Sequence, residues 1–243
     1  MADIIIRNYR WKDEAAIEDI TYKTGFKGED LTGRDFFDDR RLFFLLFIYY
    51  YTRYEPEHFF VAVDTSNDHV VGFICGATDT AAQEKNFGRR MVPRIIARML
   101  LYTTWRYPRT FKTLLGMMRG MGGPQDKVTT AAVRSEYPAH LHIDLLPEYQ
   151  HAGLGTRLIR HFEEHLIRQG VTGVHLDTTN HNHKAIPFYK KLGYTIVHET
   201  RVKSHPVLDD LTLVTFAKKL AGQDATLSAG GTGGPGEVLP ALR

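Results

Sequence analysis

The stretch Gln150-His-Ala-Gly-Leu-Gly155 decides the fold of this chain. Before it, apolar residues at 141–146 predict a strand, and after it, apolar residues spaced by three and four over 156–168 predict an amphipathic helix. A glycine-rich turn that opens a helix presents bare backbone N–H groups and the positive end of the helix dipole. The sequence therefore predicts a phosphate-binding turn.

A dinucleotide is the first alternative for the ligand of this turn. A dinucleotide-binding turn starts directly after its strand and has a third small residue, but here residues 147–152 intervene and Leu158 takes the third position. Asp177, at the end of the next predicted strand, is a feature that such a site would share. Only one further strand–helix pair follows, too little to complete a doubly wound sheet. The pattern therefore disfavours a dinucleotide.

The second alternative depends on a downstream motif, Asn182-His-Lys-Ala-Ile-Pro-Phe-Tyr189, which is followed by Gly193 and Tyr194. Together with Gln-x-x-Gly-x-Gly, this motif resembles the GNAT superfamily of N-acetyltransferases, which bind acetyl-coenzyme A (acetyl-CoA). The resemblance is strong over about residues 137–200, and the order of elements fits from residue 3 to 219. It implies an α/β fold of the GNAT type: a mixed, mostly antiparallel sheet with a central parallel splay, flanked by helices.

The resemblance also implies a cofactor-binding site. The backbone of Ile143, Leu145 and Leu146 would pair with the pantetheine arm, and the N–H of Leu145 or Leu146 would polarise the thioester carbonyl. Asn182 matches an asparagine that contacts coenzyme A. Gln150 stands where arginine is commoner, so we expect weaker cofactor binding. The predicted pyrophosphate-binding residues are Gln150, His151, Ala152, Gly153, Leu154, Gly155 and Thr156.

Four residues are candidates for catalysis. Tyr189 matches the tyrosine that protonates the departing thiolate, although alone it could be an ordinary packed aromatic residue. Asp144 and His142 share one side of their predicted strand and are candidates for the general base. Asp177 matches the acidic position that serves as a base in some protein N-terminal acetyltransferases. We prefer Asp144, then His142 and Asp177, each of which could instead be held by neighbouring backbone.

Histidine and cysteine residues do not predict a metal site or a disulfide. The spacings among the histidines at 140, 142, 175, 181 and 183 fit no standard zinc ligand set, so we predict no metal. Cys75 is the only cysteine, which excludes a disulfide framework within the chain. It lies in an apolar run, and we expect a buried, inert thiol.

The chain is predicted to contain one acetyltransferase domain, residues 1–220, with a helical insertion at 79–136 and a disordered glycine-rich tail at 221–243. The insertion and the aromatic second helix make the chain look similar to the acetyltransferase-like domain of O-GlcNAcases and its stand-alone microbial relatives. The insertion is also basic. Between Lys85 and Arg119 it has no acidic residue and nine basic ones: Lys85, Arg89, Arg90, Arg94, Arg98, Arg106, Arg109, Lys112 and Arg119.

Composition is ordinary for a globular protein, with 43% hydrophobic and 24% charged residues. The net charge of +3 does not favour a nucleic-acid partner, and the basic insertion can be a solvated face, or it can attract an acidic acceptor or the cofactor's ribose phosphate. The apolar run at 42–51 is too short to span a bilayer, which needs about 20 residues. The first residues lack the apolar core of a signal peptide. We therefore predict a cytoplasmic protein with no membrane partner.

The predicted function is transfer of an acetyl group from acetyl-CoA to a primary amine, by direct attack in a ternary complex. The acceptor would be a small molecule or a peptide, and the aromatic helix and the insertion favour a small amine. Two other classes stay open: a catalytically silent acetyl-CoA-binding regulatory module, and a nucleic-acid-associated protein acting through the basic insertion. The sequence leaves the oligomeric state undecided.

Overall fold

The computed structural model describes residues 3–34, 36–120, 131–150, 153–202 and 207–220. The predicted tail at 221–243 and two predicted cofactor-binding residues, His151 and Ala152, lie outside the described residues.

A seven-stranded sheet forms the centre of the protein, in the order β1-β2-β3-β4-β5-β7-β6. Neighbouring strands are antiparallel except β4 and β5, which are parallel. The mixed, mostly antiparallel α/β sheet flanked by helices confirms the predicted fold class. The strands are β1 (Ile4–Asn8), β2 (Phe59–Asp64), β3 (His69–Ala77), β4 (Ala139–Leu145), β5 (Gly173–Thr179), β6 (Thr195–Arg201) and β7 (Thr212–Lys219).

Helices cover both faces of the sheet. Between β3 and β4 the described residues are almost wholly helical, over the range where the sequence predicts an insertion. The helices are α1 (Glu14–Thr24), α2 (Arg40–Phe47), α3 (Tyr49–Tyr54), α4 (Thr80–Arg90), α5 (Val92–Arg98), α6 (Thr104–Arg106), α7 (Pro108–Gly120), α8 (131–136), α9 (Leu154–Arg168) and α10 (Ala185–Lys191), and a π-helical turn, Met99–Thr103, joins α5 to α6.

Two helical elements differ from the prediction. The aromatic helix expected over 42–51 is divided at Ile48, whose φ of −122° takes the backbone out of the helical range. The second difference is α4, at the start of the predicted insertion, which the sequence prediction did not indicate as a separate helix. Asp79 caps α4 by accepting the Ala82 N–H at 3.0 Å.

The alternation of side chains along β4 divides the protein into two layers. Leu141 belongs to the core beneath α9, and Ile143 and Leu145 pack against that core. The residues that alternate with them, His140, His142 and Asp144, contact side chains from the opposite layer of helices. This confirms the expectation that His142 and Asp144 share one side of the strand. Cys75 is fully buried in the second core, as predicted.

Asp39, which is 0% exposed, ties α2 to the insertion. It caps α2 by accepting the Leu42 N–H at 3.0 Å. The same carboxylate accepts hydrogen bonds from the Arg98 guanidinium at 2.6 Å and the Thr103 hydroxyl at 2.6 Å. The insertion is therefore anchored on the layer that contains α1, α2 and α3. None of the helices in the described ranges is long and apolar enough to cross a membrane.

Candidate active site

The parallel strands β4 and β5 separate at the centre of the sheet. They pair only at Ala139 with Val174 and at His140 with His175. Beyond those pairs, β4 continues to Leu145 and β5 continues to Thr179, with no register between them. The gap confirms the predicted splay and leaves one edge of β4 without a partner strand.

The direction of the backbone groups along β4 can be assigned from one hydrogen bond. Leu146 donates its N–H to Val71 of β3 at 3.0 Å. In an antiparallel ladder alternate residues point both backbone groups toward the partner strand, so Asp144 faces β3, whereas Ile143 and Leu145 face the gap. Of the two N–H groups predicted to polarise the thioester, that of Leu146 is already used by Val71, and that of Leu145 points into the splay.

Gln150 occupies one carbonyl at the open edge of β4. Its Nε2 donates to the Leu145 carbonyl at 3.0 Å. The predicted pyrophosphate-binding amide therefore contacts β4, and the backbone N–H groups at the start of α9 are the phosphate donors that the described residues offer.

The glycine turn and α9 form an anion-binding helix end. Gly153 has φ +76°, a left-handed conformation that is strained for other residues, and α9 starts immediately after it. The first intrahelical bond runs from Arg157 N–H to Gly153 O, so the N–H groups of Leu154, Gly155 and Thr156 have no acceptor within the helix. These donors and the helix dipole fit a diphosphate.

Close packing fixes this helix end against the splay. A Cβ at Gly155 would lie 3.1 Å from the Phe188 ring and 3.3 Å from the Leu145 side chain. The start of α9 therefore lies beside both the open edge of β4 and α10. Together with the backbone of Ile143 and the N–H of Leu145, these donors form a site whose chemistry fits a diphosphate joined to an extended amide chain.

Asn182 stabilises the start of α10. Its Oδ1 accepts the Ala185 N–H at 3.2 Å, which agrees with the capping role that the sequence allowed. The cap uses only the carbonyl end of the side chain. A Cβ at Gly28, in the loop after α1, would lie 3.8 Å from Nδ2 and 3.9 Å from Oδ1, so the end of the Asn182 side chain lies beside that loop.

Tyr189 is buried on α10, with 8% of its surface exposed. Its ring packs against Tyr194 and Phe216. Burial raises the pKa of the hydroxyl far above its usual value, and the nearby Asp144 carboxylate raises it further. The hydroxyl therefore keeps its proton at neutral pH, as a proton donor requires.

Asp144 is half-buried on the opposite side of β4. Burial raises the pKa of its carboxyl from 3.8 to about 6, although the hydrogen bond from Thr24 lowers it. The Thr24 hydroxyl lies 2.9 Å from Oδ1. The group therefore titrates near neutral pH, where a general base is most effective.

A directed chain of hydrogen bonds runs beside Asp144. The Thr80 hydroxyl lies 2.8 Å from Pro138 O, which can only accept, so Thr80 donates there and accepts from Nδ1 of His140, also at 2.8 Å. Nε2 of His140 is then an acceptor for Tyr51 O–H at 2.6 Å, and the Tyr51 oxygen accepts from Nε2 of His142 at 3.2 Å. This assignment leaves a lone pair on Nδ1 of His142.

The two histidines in this series of hydrogen bonds, His140 and His142, are uncharged at neutral pH. Burial lowers the pKa of His142 to about 4 and lowers that of His140 well below its usual value. His142 is therefore a weaker base than Asp144 at neutral pH. His175, on the neighbouring strand, uses Nδ1 on the Tyr137 carbonyl at 2.7 Å. In the described part of the chain no three histidine, cysteine or acidic side chains are grouped to hold a metal.

Asp177, the third candidate base, is exposed on β5. The Thr215 hydroxyl of β7 donates to its Oδ1 at 2.6 Å. It is therefore held by β7 across the splay from β4, where its charge acts on the pKa of His142, and it does not line the cavity described next.

A cavity of about 280 Å³ opens beside His142 and Tyr51. Its walls come from the aromatic region, through Leu46 and Phe47, and from α4, which the sequence prediction missed. The other lining residues are Gln83, Glu84, Phe87 and Gly88. The aromatic helices and the insertion thus shape one cavity next to the strand with the candidate bases.

Sequence reasoning missed three polar residues of this region: Thr24, Tyr51 and Thr80. Tyr51 was only the last letter of an aromatic run, and nothing in that run distinguishes a tyrosine that bridges two histidines. Thr80 had a local signal, because it follows the helix-capping Asp79. Thr24 lies 120 residues from its partner Asp144, and no pattern in one sequence connects the two.

Comparisons with known proteins agree with this geometry. A mixed sheet with a central splay and a glycine turn at a helix start defines an acetyltransferase type of α/β protein, and the sequence profile of the Acetyltransferase (GNAT) family matches residues 26–194. That range is more than half of the chain. The chain therefore belongs to this family and is an N-acetyltransferase, which confirms the resemblance seen in its motifs.

Solved structures show the same fold. The structure of SsHAT is similar to this chain with a TM-score of 0.67 and 27% identity, over 90% of this chain and 99% of that one. Polyamine N-acetyltransferase from Drosophila melanogaster is similar with a TM-score of 0.56 and 16% identity, over 90% and 100% of the two chains. The yncA protein from Salmonella typhimurium, solved with its cofactor acetyl-CoA, has a TM-score of 0.52 and 15% identity, over 91% and 96%. The last two likenesses concern the fold alone.

Proposed function

We propose that this protein transfers an acetyl group from acetyl-CoA to a small primary amine, by direct attack within a ternary complex. The observation that carries the proposal is the splay between β4 and β5. It places an unpaired N–H of Leu145 and the donors of α9 on one side of β4, and a carboxyl with a pKa of about 6 on the other. The acetyl-CoA held by the yncA protein supports the choice of donor.

Backbone groups of the chain hold and polarise the donor. The first-turn N–H groups of α9 bind the diphosphate, and the edge of β4 at Ile143 pairs with the pantetheine amides. The Nδ2 of Asn182, at the start of α10, adds one hydrogen-bond donor for the cofactor. The Leu145 N–H points to the thioester oxygen, where negative charge grows as the amine attacks. Acetyl-CoA supplies the acetyl group as an activated thioester.

Asp144 accepts the proton of the incoming ammonium. A primary amine of pKa ~10.4 is protonated at neutral pH, so attack requires a base. Asp144 is preferred because its pKa of about 6 lies closer to neutral pH than the pKa of about 4 for His142. His142 instead orients the amine by accepting a hydrogen bond at Nδ1.

Tyr189 donates a proton to the departing thiolate. Its hydroxyl is protonated at neutral pH and has no hydrogen-bond partner among the described residues. A single positioned proton donor contributes on the order of 10²–10⁴-fold to a rate. The hydroxyl of Tyr189 is therefore the group whose loss should reduce turnover most selectively.

The cavity beside His142 supports a small acceptor. Its volume of about 280 Å³ is near the lower end of ordinary small-molecule sites. Apolar and aromatic side chains make most of its wall, and Glu84 contributes a carboxylate that is also paired with Arg134. A small amine with an apolar body fits these walls better than an extended peptide does.

Release of free thiol from acetyl-CoA, measured against a panel of small primary amines, tests the proposal. We expect turnover with at least one amine and a loss of about 10²-fold or more in kcat for Tyr189→Phe. Calorimetry should show that this variant still binds acetyl-CoA. Tyr9→Phe removes another buried hydroxyl away from the site and should leave kcat unchanged.

The same measurements separate the alternative functions. Binding of acetyl-CoA with no turnover across a broad panel would favour the catalytically silent regulatory module. Failure to bind coenzyme A at millimolar concentration would contradict both the enzyme and the module.

A further inference from the structure

One face of the insertion exposes a row of large apolar side chains. Val92, Ile96 and Leu100 follow one another at four-residue spacing, so they share one side of the helix. Their exposed fractions are 39%, 50% and 64%. Leu101 and Trp105 continue the row with 80% and 82% of their surfaces exposed. We call these five residues the outer stripe.

The outer stripe is separate from the side of the helix that the fold buries. Met91 and Ile95 face the core, and Arg98 and Thr103 bond to Asp39. The helix therefore has two apolar sides, and the described part of the chain covers only one of them. Exposed apolar rows of this kind in a globular protein indicate an interaction surface.

Positive charge is concentrated along the sequence that contains the outer stripe. No acidic residue occurs between Lys85 and Arg119. The exposed basic residues of this range are Lys85, Arg89, Arg90, Arg94, Arg106, Arg109 and Lys112. A helix with tryptophan and leucine on one side and lysine and arginine around it is typical of segments that lie in a membrane interface.

The indole of Trp105 is suited to an apolar environment. Its Nε1–H already donates to the Leu100 carbonyl at 3.2 Å. Burial of the ring would therefore leave no unpaired donor, which is the usual obstacle to burying tryptophan. The exposed ring gains free energy from leaving water and loses no hydrogen bond.

The charges decide among the occupants of this surface. A second copy related by a twofold axis would place the same basic residues against each other, and the range holds no acidic residue to neutralise them. Nucleic acid would satisfy the charges, but Ile96, Leu100 and Leu101 would then lie against phosphates. An anionic lipid surface satisfies both the charges and the aliphatic side chains.

We propose that the outer stripe docks the protein on the surface of an anionic phospholipid bilayer. Trp105 and the leucines enter the boundary between headgroups and acyl chains, and the surrounding basic residues contact lipid phosphates. The sequence prediction of no membrane partner considered only spanning segments. A surface formed by one side of a folded helix is not visible as a long apolar run.

The two tryptophans of the chain provide a direct measurement. Trp11, which is 66% exposed, lies outside the outer stripe, so Trp11→Phe leaves Trp105 as the only indole. With vesicles of phosphatidylserine and phosphatidylcholine, we expect a blue shift of its fluorescence and quenching by brominated acyl chains. The matched variant Trp105→Phe, which retains Trp11, should show neither effect.

Cosedimentation with the same vesicles tests the two components of the surface. Trp105→Gln should lower the partition coefficient roughly tenfold. Arg94→Gln and Lys112→Gln should each lower it about fivefold and should weaken its salt dependence. Trp11→Gln, the matched control, should leave partitioning unchanged.

Three results would overturn the proposal. The first is no partitioning onto anionic vesicles at low salt. The second is a dimer, detected by light scattering, that is lost in Leu101→Gln and Trp105→Gln. The third is salt-dependent binding to DNA or RNA that exceeds binding to vesicles. Circular dichroism of each variant would show that it retains its fold.

Discussion

Thr24 has one proton and two acceptors at nearly equal distance. Its hydroxyl lies 2.8 Å from Ile20 O and 2.9 Å from Asp144 Oδ1. When Asp144 is ionised, the hydroxyl donates to the carboxylate. When Asp144 is protonated, it can donate to Thr24, which then turns to Ile20. Both protonation states are therefore satisfied, as the proposed general base requires.

Thr24→Val should move the acid side of the pH–rate profile. The hydrogen bond from Thr24 lowers the pKa of Asp144, so its removal should raise that pKa above about 6. We expect kcat/KM to rise through a pKa about one unit higher than in the native protein. Thr24→Ser keeps the hydroxyl and should keep the native profile. An unmoved profile in Thr24→Val would exclude Asp144 as the titrating base.

Asp144 should also affect stability, with a predictable sign. Its pKa in the folded protein, about 6, lies above the usual 3.8, so folding favours the protonated form. Stability should therefore fall as pH rises between those values and stay reduced above them. The change in the free energy of unfolding caused by Asp144→Asn should be more favourable at pH 7.5 than at pH 4, by on the order of 1–2 kcal/mol. Urea unfolding at the two pH values measures the difference, and an equal effect at both would contradict the raised pKa.

Two glycines at opposite ends of α9 separate backbone strain from ligand binding. Gly153 and Gly170 have φ of +76° and +74°, and a Cβ at either would meet no atom within 4 Å. Alanine at either position should therefore cost about 1–2 kcal/mol in stability through the same left-handed strain. Only Gly153→Ala should also weaken acetyl-CoA binding, because Gly153 precedes the donors of α9. Calorimetry and urea unfolding of both variants check this, and equal loss of affinity in both would contradict the placement of the diphosphate.

The elements that the sequence predicts well are those with a strong local pattern. The alternating side chains of β4 and the helical spacing of the apolar residues in α9 were sufficient to predict both elements. The glycine turn between them indicated the family. Helix α4 was missed because its residues are mostly polar and give little periodicity. The division at Ile48 was missed because an unbroken aromatic run carries no sign of where its backbone turns.

The candidate site was predictable only where its motifs are local. Asn182, Tyr189 and the glycine turn could be named from short stretches of sequence. Leu145, rather than Leu146, could be chosen as the N–H donor to the thioester only because Leu146 donates its N–H to Val71. That hydrogen bond depends on how the strands pair in the sheet. Tyr51 and Thr24 act through partners that are 89 and 120 residues away, and one sequence contains no information on such pairings.

At the scale of the whole molecule, Asp39 connects the wall of the acceptor cavity to the insertion. The carboxylate caps α2, which contributes Leu46 and Phe47 to the cavity, and binds Arg98 at the end of α5. The relative position of α2 and α5 therefore depends on one buried charge.

Asp39→Asn should destabilise the protein by about 3 kcal/mol, because it leaves the partly buried Arg98 without a counter-charge. Thermal or urea unfolding measures this loss. The exposed pair of Asp210 with Arg201 provides the control, and Asp210→Asn should cost no more than about 1 kcal/mol. Equal losses in the free energy of unfolding for the two variants would show that the buried pair contributes no more to stability than the exposed pair.

The π-helical turn at Met99–Thr103 has a consequence for the direction of the indole. Nine positions separate Ile96 from Trp105, and a regular α-helix, at about 100° per residue, would set the two side chains on opposite sides. The widened turn contains one additional residue, which rotates Trp105 back by about 100°. Deleting Leu101 would remove that additional residue and leave Trp105 eight α-helical positions after Ile96, so the variant should keep every charge of the segment and the direction of the ring.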